Sequence, residues 1–511
     1  MKPQIFHSLK GYDKKAFFGD LMAGLMVAII ALPLSIALGI QSVPAEVSTR
    51  GIQFGIITAI VAGFLISALG GSRHQIGGPT AAFVVILYGY LANPEIGVLG
   101  LAVAGVMAGV ILVLMGLLRA GNVMKFFPYP ITIGFTTGIG VTLLIGQIKD
   151  LCGFSAHGTE AIHKLISYIE NIGTFDLATF AVGAIGLACV ICLPKISKKI
   201  PSAFVALIAC TAATFALNGL CGAQVATIGS TYGEVKAGFF PVDLGDIGSL
   251  NFGGLIAPAI VIAFLCAIES LLSATVASGM TGVPFDANQE LVGQGVANVC
   301  SSLLGGLPAT GAIARTAAGI ENGARTPLAG MFHAIFVMVM YFALMSVVQY
   351  IPLAVFSAIL ISVAINMSRF SLFGRLLRFG VRDVIILVIT CVLTIVFDLT
   401  YGVLGGVAVT FIVNARSIKK GLKLVTTADV VDAQGEICFV NANRVVEALN
   451  AVLVESDVAT LDMSGVGSVD QTAMEKLAAC VKNARARGKK VQLVNMNEKT
   501  QRRFDRFFQI F

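Results

Sequence analysis

The feature that most limits this chain is a succession of apolar runs too long for a water-soluble core. The stretch from 19 to 40 holds a single charged residue, Asp20. A bilayer core needs about 20 apolar residues per helix. Inside lipid every backbone N–H and C=O must be bonded, which leaves helices and closed barrels as the only spanning structures. Continuous rather than alternating apolar runs select the helix. Further segments fall near 51–70, 80–92, 97–117, 131–148, 178–193 and 201–217. A second set of seven falls near 253–275, 289–305, 310–320, 326–348, 351–366, 383–399 and 401–414. Only 12% of the 511 residues are charged, about half the soluble average. The chain is expected to be a polytopic α-helical membrane protein. No cleavage pattern follows a short apolar core, so the first run is read as a retained span without a signal peptide.

Two segments, 80–92 and 310–320, are too short to cross, and each opens in a small-residue approach: GGPTAAF and LPATGAI. Each is the third of its set of seven. Matched short, interrupted segments in two halves point to inverted repeats around a central site. Fourteen spans in a seven-plus-seven repeat are expected, with repeats at about 19–217 and 253–415 and spans three and ten as half-helices.

Loop charge sets the orientation. With residues 1–18 inside, the inner loops carry Arg73, Arg119, Lys125, Lys195, Lys198, Lys199, Arg325, Arg369, Arg375, Arg378 and Arg382. Arg416, Lys419, Lys420 and Lys423 follow the last span, whereas the outer loops carry only Arg50, Lys149, Lys164 and Lys236. This positive-inside bias places both termini in the cytoplasm and accounts for the net charge of +7 without a nucleic-acid partner. From 425 to 511 the pattern changes. Strands at 435–440, 458–464 and 489–496 alternate with helical stretches at 441–453, 470–488 and 497–511, giving a small cytoplasmic α/β domain.

The half-helices carry the chemistry. A helix N-terminus presents unpaired N–H groups and about half a positive charge, and two such ends aimed at one cavity make an anion site. Thr80, Ala81, Ala82, Thr310, Gly311 and Ala312 are small enough to admit an anion to the backbone. Arg315 adds a forked cationic donor. Small residues also simply permit close helix packing; the matched pair of segments and the arginine favour the site. Glu269, alone in span eight, is an intramembrane carboxylate and a functional candidate by default. Ser273 lies one turn further on the same face. Glu269 is expected to carry a coupling proton, with a sodium site or a permanent Glu269–Arg315 ion pair as alternatives. Ser35, after Pro33 in span one, and Phe83, as an apolar wall, complete the candidates. His157 and His163 lack ligand spacing, and the Cys189/Cys192 pair sits in an apolar run, so no metal and no other cofactor is expected. Without a metal or nucleophile cluster an enzyme is not expected either.

On these residues the chain resembles the sulfate permease (SulP, solute-carrier group 26) family, bacterial type. The matching stretches are LPLSIALGI, GGPTAAFVVIL, AIESLLSATVASGMTG and PATGAIARTAAGIENGARTPLAG. The C-terminal LDMSGVGSVDQTAMEKL and GKKVQLVNMNEKTQRRF resemble a STAS domain. The resemblance implies an anion held between spans three and ten. It also implies elevator-like movement of a core (spans 1–4 and 8–11) against a gate (spans 5–7 and 12–14), and a homodimer in the cell membrane. Family substrates are sulfate, bicarbonate, chloride, oxalate and C4-dicarboxylates. Sodium-driven bicarbonate members resemble one another in an aspartate at the position of Glu269 and in lacking Arg315. Proton symport of sulfate or a dicarboxylate is therefore expected here, with sodium-coupled bicarbonate transport and an uncoupled anion channel as alternatives. Leu34 stands where many eukaryotic members carry glutamine, and Asp470 is followed by Gln471 rather than the serine of phosphorylated STAS proteins.

Overall fold

In the computed structural model, residues 1–121, 128–154, 161–197, 201–243, 245–368, 370, 373, 380–397, 399–486 and 488–508 are described. Lys125, His157, Lys198, Lys199, Arg369, Arg375, Arg378 and the last three residues of the expected C-terminal helix lie outside them. A helix falls on each of the fourteen expected segments. The first set comprises α1 (Lys14–Ser42), α2 (Gly51–Leu69), α3 (Ala81–Leu91), α4 (Gly97–Leu117), α5 (Tyr129–Cys152), α7 (Leu177–Ile196) and α8 (Ser202–Leu220), with α6 (Ala161–Glu170) between. The second comprises α9 (Phe252–Thr281), α10 (Ala287–Leu303), α11 (Ile313–Glu321), α12 (Leu328–Val348), α13 (Leu353–Ser368), α14 (Val381–Val396) and α15 (Leu399–Lys420). Nine helices among the described residues are long and apolar enough to cross a membrane. Their outward faces expose residues such as Ile208, Phe215, Val339 and Phe342, as lipid-facing surfaces do.

Two departures from the sequence reading stand out. The first helix begins at Lys14, earlier than residue 19, because Asp13 caps it by accepting the N–H of Ala16 at 2.7 Å. The stretch 149–177, read as an outer loop, contains α6, whose apolar face was too short to register as a span.

The chain divides into two compact units, Met1–Asn122 with Ile139–Met367, and Val123–Gly138 with Ser368–Phe511. In the first, helices of the second set pack onto those of the first: α12 against α1 and α2, α10 against α2 and α4, α9 against α4. Glycine permits the closest of these crossings. A Cβ at Gly109 would lie 2.6 Å from the Gly295 carbonyl oxygen, and one at Gly295 2.5 Å from that of Gly109, the small-residue packing usual between membrane helices.

The second unit ends in a four-stranded sheet, β3 (Leu422–Thr427), β4 (Val430–Ile437), β5 (Val458–Val469) and β6 (Lys490–Val494), in that spatial order. β3 and β4 are antiparallel and the remaining pairs parallel. Helices α16 (Ala442–Glu455), α17 (Gln471–Ala486) and α18 (Glu498–Phe508) alternate with the strands. Val431, Leu449, Leu461, Met474 and Phe504 are buried in its core. The sequence reading missed β3, which is largely exposed and so carries no continuous apolar signal. Arg503 of α18 pairs with the buried Asp383 of α14 at 3.1 Å and donates to the Val469 carbonyl at 3.0 Å. The Thr472 hydroxyl accepts the N–H of Tyr129, at the start of α5, at 2.9 Å.

Candidate functional site

The two short segments meet. Ahead of α3 runs β1 (Gly77–Gly78), and ahead of α11 runs β2 (Thr310–Gly311); they pair antiparallel, Gly77 opposite Gly311 and Gly78 opposite Thr310. Thr310 and Gly311 therefore belong to a strand rather than to the helix start expected from the sequence. The half-helix itself begins at Ile313. The physical reason is that extended backbone at this depth must find partners, and an opposed strand supplies them.

Side chains complete the partnering. Asn298 brackets Ala309, donating to its carbonyl at 2.9 Å and accepting its N–H at 2.8 Å. Ser270 shares a 2.6 Å hydrogen bond with the Thr310 hydroxyl and accepts the Gly311 N–H at 3.2 Å. Gln75 donates to the Ser270 carbonyl at 2.9 Å, and the Thr316 hydroxyl accepts the Ile76 N–H at 3.1 Å. Ser273, expected to face the site beside Glu269, is buried and donates to the Thr316 hydroxyl at 3.4 Å.

Arg315, in the first turn of α11, is fully buried. It donates to the Gly77 carbonyl at 3.2 Å and to the Ser35 hydroxyl at 3.1 Å, and its Nε has no partner among the described residues. Gly78 makes room for it: a Cβ there would lie 1.7 Å from Arg315 Nη1. Ser35 thus acts on Arg315, while its own hydroxyl donates to the Ala31 carbonyl at 2.7 Å.

Glu269 is only partly buried and accepts the Thr80 hydroxyl at 3.1 Å. The alternative of a Glu269–Arg315 ion pair is not formed; Arg315 is held by a carbonyl and a hydroxyl instead. Because Thr80 turns to Glu269, it does not cap α3, and Ala312 provides no side-chain cap for α11. Two helix N-termini thus keep their first-turn N–H groups free of side-chain caps. Thr80, Glu269 and Ala312 retain partial exposure, whereas Ala81, Ala82 and Phe83 are buried. Sequence reasoning missed Gln75, Ser270 and Asn298. For Asn298 the signal available was the density of Asn, Gln and Ser in a segment otherwise read as an apolar span, ANQELVGQGVANVCSSL; Gln75 and Ser270 lie outside that segment. Among the described residues, no cluster of three or more His, Cys, Asp or Glu side chains is placed to hold a metal ion.

A multi-pass helical chain with paired half-helices and a C-terminal α/β domain is thereby defined. Its family follows from comparison with known proteins. The model of the sulfate permease family matches residues 17–390, and that of the STAS domain matches 422–508. The chain belongs to the sulfate permease family. It is 39% identical over 421 residues to YvdB of Bacillus subtilis, provisionally named a sulfate transporter, covering 81% of this chain and 77% of that one. It is 28% identical to the bicarbonate transporter BicA of Picosynechococcus over 96% of this chain and 90% of that one. The solved transmembrane domain of a cyanobacterial BicA superposes with a TM-score of 0.68 at 27% identity, covering 78% of this chain and 98% of that one. Murine Slc26a9 in its inward-facing state shares the fold, with a TM-score of 0.70 at 18% identity over 98% of this chain and 89% of that one.

Proposed function

We propose that this chain carries a small anion, sulfate or a C4-dicarboxylate, into the cell together with a proton. The observation that carries the reading is the pair of uncapped half-helix N-termini held side by side by β1 and β2, with Arg315 seated behind them and Glu269 bonded to Thr80. The anion binds at the N-termini of α3 and α11, where the N–H groups and the guanidinium supply positive potential. Glu269 takes and releases the coupling proton. Bonded to the residue preceding α3, it senses the anion directly: a carboxylate and an anion repel at this range, and a carboxylic acid does not. Spans three and ten move together as part of the core in an elevator-like step. The protein is a homodimer of the cell membrane with its N-terminus and STAS domain in the cytoplasm. The similarity to BicA makes sodium-driven bicarbonate uptake the competing reading; Glu269 and Arg315 favour the proton.

The test uses purified protein in liposomes loaded with a pH-sensitive dye. Sulfate, succinate, fumarate, chloride or bicarbonate is added singly, with protein-free liposomes as control. Internal acidification with sulfate or a dicarboxylate supports symport; sodium-dependent tracer uptake without acidification would move the assignment to bicarbonate. Accumulation driven by a proton gradient separates a transporter from an uncoupled channel. Glu269→Gln is expected to abolish proton-driven accumulation and leave anion exchange measurable. Wild-type accumulation in that variant would remove Glu269 from the coupling role.

A further inference from the structure

A cavity of about 670 Å³ opens in the first unit beside α3, at the end of the half-helix away from β1. Val84 and Val85 line it one turn from Ala81, and Tyr88 lines it two turns away. Loop charge places this end of α3 on the outer side of the membrane. Four charged residues contribute to the wall. Glu46 and Lys149 are exposed, whereas Asp150 and Lys164 are half-buried. Asp150 accepts the Gln41 amide at 2.8 Å. Lys164, from α6, lies with its ammonium 5.2 Å over the Tyr88 ring, and no carboxylate pairs with it among the described residues. Gly146 lines the cavity beside the ammonium, and a Cβ there would make only an ordinary 3.7 Å contact with Nζ.

An anion approaching α3 from this side meets the carbonyl end of the helix first, where the dipole repels it. Lys164 sits over that end. Its contact with Tyr88 is worth about 0.5–2 kcal/mol, weak enough to be given up for a charge-assisted bond to an anion. Burial holds the ammonium below the ordinary lysine range, Asp150 opposing the shift and Lys149 adding to it. The group is therefore withdrawn from bulk water and directed into the cavity.

We infer that this cavity is the entry chamber for the transported anion, and that Lys164 is its first docking point before the half-helix N-termini. The inference rests on the anion-transport reading. It adds a specificity-determining residue on a helix outside the half-helix site.

The chain contains no tryptophan, so Tyr88→Trp places a single fluorescent reporter in the chamber wall. Iodide and neutral acrylamide are compared as quenchers, in that background and with Lys164→Gln or Lys164→Arg added. Iodide quenching relative to acrylamide is expected to fall several-fold in Lys164→Gln and to be kept in Lys164→Arg. In liposomes, Lys164→Gln on the native background is expected to raise the KM for anion uptake about tenfold, with the maximal rate kept. An unchanged quenching ratio would overturn the docking point, and a changed ratio with unchanged KM would overturn its place on the entry route. If the unmodified protein moves no anion, the transport reading fails instead. The quenching arm needs no flux and still decides whether Lys164 draws an anion into the chamber.

Discussion

Gly78→Ala tests the seat of Arg315 without removing its charge. The new methyl would start 1.7 Å from Arg315 Nη1, and ordinary contact begins at 3.4 Å. The guanidinium has no slack for such a retreat, because it is fully buried and its bonds to Gly77 and Ser35 are already 3.2 and 3.1 Å long. The Nη1 bond to the Gly77 carbonyl would pass the hydrogen-bonding limit, and a bond to a charged group is worth about 1.5–3 kcal/mol. Gly78 also has a φ of +149°, a region costing a non-glycine residue about 1–3 kcal/mol. The guanidinium is therefore expected to leave its seat and the protein to lose stability. If half of one displaced bond is felt at the proposed anion site, affinity falls about 4- to 13-fold, the equivalent of ~0.75–1.5 kcal/mol. Equilibrium binding of sulfate and chloride to detergent-purified protein measures this, with size-exclusion behaviour as the check on folding. Arg315→Ala is the comparator and should weaken the divalent anion more than the monovalent one. A folded Gly78→Ala protein with unchanged affinity for both anions would refute the role given to the Arg315 seat.

Two further outcomes concern the second unit. Arg503→Ala leaves Asp383 buried and unpaired, which costs about 3–5 kcal/mol when one partner of a buried pair is removed; thermal unfolding of the full chain should fall clearly, and an unchanged midpoint would mean the pair contributes nothing. Burial pushes Asp470 from 3.8 up to about 7, so the folded chain keeps a proton that the unfolded chain releases. Its stabilising contribution is complete below about pH 4, declines as pH rises towards 7 and is absent above that. Melting curves from pH 4 to 8 should show wild type losing stability relative to Asp470→Asn across that window; parallel curves would contradict the shift.

The helices were legible in the sequence because a membrane span is announced by length and apolarity alone. The positions of α3 and α11 were legible for the opposite reason: they are too short, in matched places. The pairing of β1 with β2 was not, because two-residue strands have no periodicity and their register depends on partners far along the chain. The same holds for the direction of Arg315. Its sequence neighbours suggested a positive charge at the site, but only the fold shows that Gly77 and Ser35 hold it and that Glu269 turns instead to Thr80. Lys164 looked like an ordinary outer-loop charge, since nothing local links it to Tyr88 or Gly146. In the C-terminal domain the buried strands were readable in outline, while exposed β3 was not.

The β1–β2 pairing also sets when the candidate site can come into being. Gly77 and Arg315 are 238 residues apart, so at about 5–20 residues per second roughly 10–50 seconds of synthesis separate them. Throughout that interval the first half of the molecule holds glycine backbone whose partners have not yet been made, and each unpaired group in lipid costs several kcal/mol. A half-length chain therefore lacks the means to bury this turn, and must keep it near water or against the insertion machinery until its counterpart emerges. Maturation of the site is a late event, and truncated or stalled chains should be recognised by quality control through this one unfinished turn.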